Sequence, residues 1–361
     1  MSDSPITIGL EISNYALSKV STGIQQVISS FHNDLELYWR SRGIALVPTI
    51  CRKDSNIDYR ALLASAPLGG KFVKKKLVDP ENCDAIILPD IDNAIDFHKL
   101  KEMSTARGIP VIAFIYDLLP LLHPEWFPLD GKRNFHIWLQ QTLHAASHLI
   151  VNSHKTRSDL SELPWKINQN ISVVHLGSRV EVQTPNLFDE NQISLLYVST
   201  IEPRKGHGQV LEAFDLLQSW GYDVTVTFVG HKGWMVDELS NRIRNHHEFG
   251  SRLKWHEGAS DDVIKKSALE ANIGVMPSRG EGFGMFIEEA LAMGLKVIAS
   301  EIPEFLERAQ PNLFFSQLDG LAMANAIIHV HKTSWNDKCL PRTMRDFTFE
   351  MSRLIETIVI A

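Results

Sequence analysis

Two glutamates, Glu281 and Glu289, bracket a glycine-rich stretch that reads PSRGEGFGMFIEEALAMGLKVIASEIPE over residues 277–304. The pattern predicts a strand ending at Pro277, a short loop, and a helix that opens near Gly284 and is stopped by Gly294 as a left-handed cap. A helix start leaves backbone N–H groups unpaired, here those of Phe283, Gly284 and Met285, and such groups suit an anionic or hydroxyl-rich ligand. Gly282 and Gly284 carry no Cβ, so a ligand can come close to the backbone there. On spacing alone, the same residues also read as two solvated glutamates on a loop and an amphipathic helix.

A cation follows the same logic. STIEPRKGHGQVLEAF (199–214) predicts strand, turn and helix. This places Lys205 at a helix N-terminus on the carboxyl edge of a sheet, where α/β proteins bind ligands. Arg204 either supplements that charge or is solvated, since neighbours on a turn seldom point the same way. Gly23, in STGIQQVISSF (21–31), opens a helix after the first strand. Asp117, in FIYDLLPLLHPEWF (114–127), falls at a strand end, where it either meets a ligand or caps the next turn. His123 in the same stretch reads first as a satisfied loop histidine. VGHKGWM (229–235) puts Gly230 just after a strand, with Trp234 read as packing.

Taken in chain order, these motifs resemble the retaining GT-4 glycosyltransferases, strongly over residues 194–304 and weakly before residue 110. Glu281 and Glu289, with seven residues between them within EGFGxxxxEALA and followed by KVIAS and EIPE, are similar to that family's paired-glutamate motif. The resemblance implies that Glu281 lies by the donor sugar and that Glu289 binds the ribose of the nucleotide. It implies that Lys205 serves the donor diphosphate and that the loop at Gly23 brings amides to the donor phosphates. Gly230 would permit close approach of the nucleotide, and Asp117 would stand on the acceptor or catalytic side. Two departures matter: Thr200 replaces an arginine found in many relatives, and Tyr116 replaces the histidine of a His-Asp pair.

The implied fold is α/β of the GT-B type, two Rossmann-like doubly wound domains facing a central cleft. The implied chemistry retains configuration: the acceptor attacks from the leaving-group face, and a donor phosphate oxygen takes its proton. TIEPRKG with the later GxxGWM resembles bacterial mannosyl- and rhamnosyltransferases of polysaccharide assembly. The expected donor is therefore GDP-mannose, against UDP- or dTDP-sugars, and the expected acceptor is a glycan or lipid-linked glycan. Neither metal nor other cofactor is expected. Two other readings stay open, a nucleotide-sugar epimerase of the same fold and a catalytically dead sugar-binding subunit.

The elements that must position these residues alternate along the chain. Short apolar runs such as ITIGLEI (6–12), DAIILPD (84–90), PVIAFIYD (110–117), SLLYVST (194–200) and LKVIAS (295–300) read as strands buried on both faces. Helix-length segments lie between them, among them Gly23 to Arg40 and Arg133 to Ala146. EVQTPNLFDENQ (181–192) loses periodicity and reads as a linker. The expected division is an acceptor-side domain over 1–185, a donor domain over 186–345, and a closing helix over 346–361 packing back on the first domain.

Composition narrows the function further. A chain of 361 residues with 44% hydrophobic residues accommodates two ordinary domains, and its net charge of -7 argues against a nucleic-acid binder. Three scattered cysteines build neither a disulfide framework nor a zinc site, which fits a cytoplasmic setting. No signal peptide or membrane span is expected. Asp90 and Asp92 after a strand have the spacing of a metal-binding Asp-x-Asp, but Asp92-Asn93 equally fits a cap of the following helix, and the paired-glutamate motif weighs against metal there. Lys71, Lys74, Lys75 and Lys76 form a basic patch, read as a solvated loop or as peripheral contact with an anionic membrane surface.

Overall fold

The computed structural model describes residues 5–17, 23–30, 35–53, 58, 76–183, 191–258, 260–310, 312–316, 318–336 and 338–360. The chain divides into two compact units. One comprises residues 1–121, 130–175 and 344–361; the other comprises residues 122–129 and 176–343. Residues 176–180 thus belong to the second unit, ahead of the expected linker at 181–192, most of which lies outside the described residues. Of the lysine patch, only Lys76 is described, and it is exposed.

Six parallel strands form the sheet of the first unit: β1 (Ile6–Glu11), β2 (Ile44–Thr49), β3 (Ala85–Leu88), β4 (Val111–Ile115), β5 (His148–Val151) and β6 (Asn170–Val173). Their order is β2-β1-β3-β4-β5-β6. The apolar runs read from the sequence are these strands, because helices cover both faces and every position of β3, β4 and β5 is buried. Trp138 and Leu139 of the helix Leu129–Ala145 lie in one buried cluster with Ile86, Val111 and Leu149. Each such side chain removed from water contributes about 1.5–3 kcal/mol. Of the helix expected over Gly23 to Arg40, the described parts are helical over Gly23–Ser30 and Glu36–Arg40, and residues 31–34 lie outside the described residues.

The last helix, Met344–Ile360, belongs to this first unit. Its buried Phe347, Met351 and Ile355 recur every four residues, making one apolar stripe. Ser352 on the same helix accepts a hydrogen bond from Trp39 Nε1 at 2.7 Å, and Glu356 pairs with Arg42 at 3.1 Å.

The second unit repeats the plan with β7 (Gln192–Val198), β8 (Asp223–Val229), β9 (Leu253–His256), β10 (Ile273–Met276), β11 (Lys296–Ser300) and β12 (Leu313–Ser316). Its parallel order is β12-β11-β10-β7-β8-β9. The chain leaves β7 toward β8 and β9, then returns to add β10, β11 and β12 on the other side. The sequence showed eleven of these twelve strands. β12 escaped it because LFFS is only four residues long and half-buried in the middle, so it carries no clear period. Among the described residues, no helix is long and apolar enough to cross a membrane.

Candidate active site

The direction of chain growth reverses between β7 and β10, and a crevice opens beyond the carboxyl ends of strands at such a point. Lys205 lies on the turn that leaves β7, and Glu281 lies on the loop that leaves β10. The helix after Lys205 is His207–Ser219, capped at its start by Gly206 with φ +72°. A Cβ on Gly206 would stand 2.0 Å from the carbonyl oxygen of Pro277, so only glycine lets the two loops meet. The Arg279 amide, in turn, donates to the carbonyl of Arg204 at 2.7 Å.

These contacts bring two cations onto one carboxylate. Lys205 Nζ lies 2.5 Å from Glu281 Oε1, and Arg204 Nη1 lies 2.9 Å from Glu281 Oε2. Arg204 is no solvated surface residue: it also donates to the Gly280 carbonyl at 2.7 Å and pairs with Glu202 at 3.1 Å. The divergence expected of neighbours on a turn fails here, because the β10 loop wraps the turn and offers a carboxylate that both cations reach. Ser278 Oγ donates to Glu281 Oε1 at 2.7 Å, and Tyr197 OH donates to the Lys205 carbonyl at 2.7 Å.

Burial alone would raise the Glu281 carboxyl, but Arg204, Lys205 and the hydrogen bonds outweigh it and hold it at about 2. His207, stacked on Tyr197 with centroids 4.5 Å apart, is held down to about 3 by burial and by the nearby Lys205. Its ring is therefore neutral and adds no third positive charge at neutral pH.

Glu289 sits on the helix Met285–Ala292, whose first residue follows Gly284 at φ +80°. A Cβ on Gly284 would lie 2.5 Å from the ring of Phe305, so this glycine also answers to packing inside the protein. Gly282 and Phe283 are buried, and Met285 is half-buried. Gly294, at φ +80°, follows the helix as expected. Glu289 meets a residue that sequence reading missed: Arg179 places Nε at 3.0 Å and Nη2 at 2.9 Å from Glu289 Oε1. Burial raises the Glu289 carboxyl against the pull of Arg179. Oε2 has no second partner among the described residues, so it can accept a hydrogen bond from a ligand hydroxyl.

The other expected residues are distributed elsewhere. Gly230, at φ +147°, would place a Cβ 2.1 Å from the Ser199 carbonyl oxygen, so the protein's own backbone requires this glycine. Trp234 is a packing residue: it donates to the Trp126 carbonyl at 2.8 Å and lies 5.9 Å from the Phe127 ring. His123 stacks on Trp126 at 4.1 Å.

In the first unit, Gly23 opens the helix Gly23–Ser30, and the residues just before it lie outside the described ones. Asp117 Oδ1 accepts from the Leu119 amide at 3.0 Å, which is the turn-capping use of this residue. Asp90 accepts from Asn14 at 3.0 Å and from Gln25 at 3.3 Å. Asp92 caps the turn at Ala94, 2.8 Å away, and lies 3.6 Å from Arg52. The helix that follows is capped instead by Asp96, which accepts from Lys99 N at 3.1 Å.

Residues 179–328 match the profile of the family described as glycosyl transferases group 1. The matched segment falls wholly within the second unit. It contains every residue of the Lys205–Glu281 cluster and both partners of the Arg179–Glu289 pair.

The chain is 29% identical over 331 residues to the serotype-specific mannosyltransferase WbdA of Escherichia coli, covering 85% of this chain and 40% of that protein. It is 25% identical over 210 residues to the O-antigen chain mannosyltransferase B of Escherichia coli, covering 54% of each. This chain thus spans about two-fifths of the length of WbdA. In structure it is similar to Anabaena HepE in complex with UDP-glucose, with a TM-score of 0.64, 17% identity, and coverage of 98% of this chain and 97% of that one. It is also similar to the sucrose-phosphate synthase of Thermosynechococcus elongatus, with a TM-score of 0.60, 16% identity, and coverage of 98% and 96%. The fold is GT-B.

Proposed function

We propose that this chain is a retaining hexosyltransferase that moves mannose from GDP-mannose to a glycan or lipid-linked glycan in surface polysaccharide synthesis. The observation that carries the proposal is the pair of cations, Arg204 and Lys205, fixed on Glu281 at the switch point of the unit that matches the glycosyl transferases group 1 profile. Mannose follows from the mannosyltransferases to which the chain is similar. The second unit then binds the donor and the first the acceptor, which is met at the cytoplasmic face of a membrane if it is carried on lipid.

Breaking the bond between the anomeric carbon and the diphosphate sends an electron pair to the leaving oxygen. Lys205, Arg204 and the amides of Gly282, Phe283, Gly284 and Met285 are the groups available to hold the growing negative charge. Charges already fixed in place need no reorganisation as the reaction proceeds, which is where electrostatic catalysis gains most. Glu281 keeps both cations aimed and borders the donor sugar. Glu289, held at one oxygen by Arg179, offers the other to the ribose. Gly230 shapes the wall on the nucleotide side, whereas Gly23 and Asp117 serve phosphate and acceptor from the first unit. Unlike a retaining glycosidase, no carboxylate is assigned as nucleophile; the acceptor hydroxyl attacks on the leaving-group face and passes its proton to a donor phosphate oxygen.

Two cations and the amides neutralise the diphosphate, so no metal is required, and the contacts already engaging Asp90 and Asp92 agree with this. The test is to incubate the chain with GDP-mannose, GDP-fucose, UDP-glucose, UDP-galactose and dTDP-rhamnose, with and without mannan oligosaccharides. Release of nucleoside diphosphate and formation of product are followed in EDTA and in manganese. Acceptor-dependent release of GDP from GDP-mannose in EDTA is expected. Sugar-nucleotide conversion without acceptor would favour an epimerase, and tight binding without turnover a sugar-binding subunit. Activity lost in EDTA and restored by manganese would overturn the metal-free reading.

A further inference from the structure

Arg308 is buried, with 5% of its side chain exposed, and it belongs to none of the motifs that point to the site. It follows the helix Pro303–Leu306, and its guanidinium spreads over three pieces of backbone and side chain. Nη2 donates to the Phe283 carbonyl at 2.5 Å, Nη1 reaches Glu288 Oε1 at 3.3 Å, and Nε donates to the Glu304 carbonyl at 3.3 Å. The guanidinium carbon also stands 3.9 Å from the centre of the Phe283 ring. One planar group therefore grips the middle of the loop 281–284 by its peptide and by its side chain, and ties both to the helix that carries Glu289.

The start of that loop and the helix that follows it are each tied by a further carboxylate. Glu304 Oε1 accepts from the Glu281 amide at 2.7 Å, which pins the residue holding Arg204 and Lys205. Glu288 Oε2 accepts from the Arg342 amide at 2.8 Å, anchoring the far side. A buried guanidinium is costly without partners, and here all of its contacts go to this loop and its supports. Lysine, a point charge on a flexible stem, cannot make the same fork or stack.

We propose that Arg308 is a positioning residue for the donor site: it sets the Phe283–Gly284 peptide and, through Glu304, the Glu281 backbone, without itself touching donor. This rests on the functional reading above. The position of the loop matters most when charge develops at the reacting centre, and small misplacements there cost on the order of 100-fold in rate. Arg308→Lys should therefore lower kcat by about 10- to 100-fold, with a much smaller rise in KM, in a protein that is still folded by circular dichroism at the assay temperature. Phe283→Leu keeps apolar volume but removes the ring under the guanidinium, and should show the same split in weaker form.

Both variants are compared with the parent by steady-state kinetics with GDP-mannose, by calorimetry with GDP, and by thermal melts. A folded Arg308→Lys variant with parental kcat would overturn the inference while leaving the function intact. So would loss confined to Tm, or a rise in KM alone. If Arg308→Lys fails to fold, Phe283→Leu decides, and parental kcat in that variant would overturn the inference. A parent chain that neither binds GDP nor turns over any sugar nucleotide would remove the functional reading, and the inference with it.

Discussion

At the scale of single residues, the two glutamates do different work. Glu281 has both oxygens occupied by cations, and its carboxyl is held at about 2, so it is ionised at every pH where the protein would act. Glu281→Gln removes the counter-charge that aims Arg204 and Lys205 but leaves both cations for a diphosphate. It should depress kcat more than it changes KM, with GDP affinity kept or raised. Glu289, if it binds ribose, contacts a part of the donor that does not react, so losing it should raise KM with little change in kcat. Steady-state kinetics and GDP calorimetry on Glu281→Gln and Glu289→Gln check this. GDP binding that survives Glu289→Gln but is abolished by Glu281→Gln would reverse the two assignments. The paired glutamates and Lys205 were legible in the sequence because each sits in a local motif. Arg179 and Arg308 were not, since their partners Glu289 and Phe283 lie 110 and 25 residues away and only the fold brings them together.

At the scale of elements, the site depends on two glycine turns at the carboxyl ends of β7 and β10. Gly206 combines φ +72° with a Cβ position 2.0 Å from the Pro277 oxygen, so any side chain would force the loops of Lys205 and Glu281 apart. The left-handed conformation alone costs a non-glycine residue about 1–3 kcal/mol. Gly206→Ala should therefore lower Tm and activity together, whereas Gly208→Ala, which meets only the end of a leucine side chain at 3.8 Å, should be close to neutral. Parallel thermal melts decide, and equal stability of the two variants would contradict this view of the turn. Strand and helix existence could be read from the sequence wherever a run was apolar on consecutive positions, as in β3, β4 and β10. Reading failed where a segment was short and half-exposed, as in β12.

At the scale of the whole molecule, the first unit carries a charge cluster with a consequence for stability. Glu11, fully buried at the end of β1, is pushed up to about 8, chiefly by burial and further by Asp92 and Asp90, against hydrogen bonds such as that from the Ser13 amide. The folded chain therefore binds a proton that the unfolded chain has already lost between the ordinary carboxyl value of 4.5 and about 8. The native state is favoured below this window, and stability falls as pH rises through it. Glu11→Gln, neutral throughout, should be close to the parent at pH 5 and more stable at pH 8. In a domain of this size each kcal/mol moves Tm by roughly 2–4 °C. Thermal melts at the two pH values test it, and a Tm difference that does not grow with pH would contradict it.

The two doubly wound units follow from the alternation of apolar runs and helices over the full chain, and the match to the glycosyl transferases group 1 profile at 179–328 falls in the second of them, where the proposed chemistry lies. The most direct measurement of that chemistry is the turnover of Lys205→Ala. Its Nζ lies on Glu281 where the leaving diphosphate is to be held, and a donor aimed at a developing anion is worth about 3 kcal/mol, or ~100-fold in rate. GDP release from GDP-mannose in the presence of acceptor should fall by that order in Lys205→Ala, with the fold unchanged by circular dichroism. A folded Lys205→Ala that keeps more than about half of parental turnover, against the ~100-fold loss expected, would contradict the assignment of this cluster as the catalytic centre.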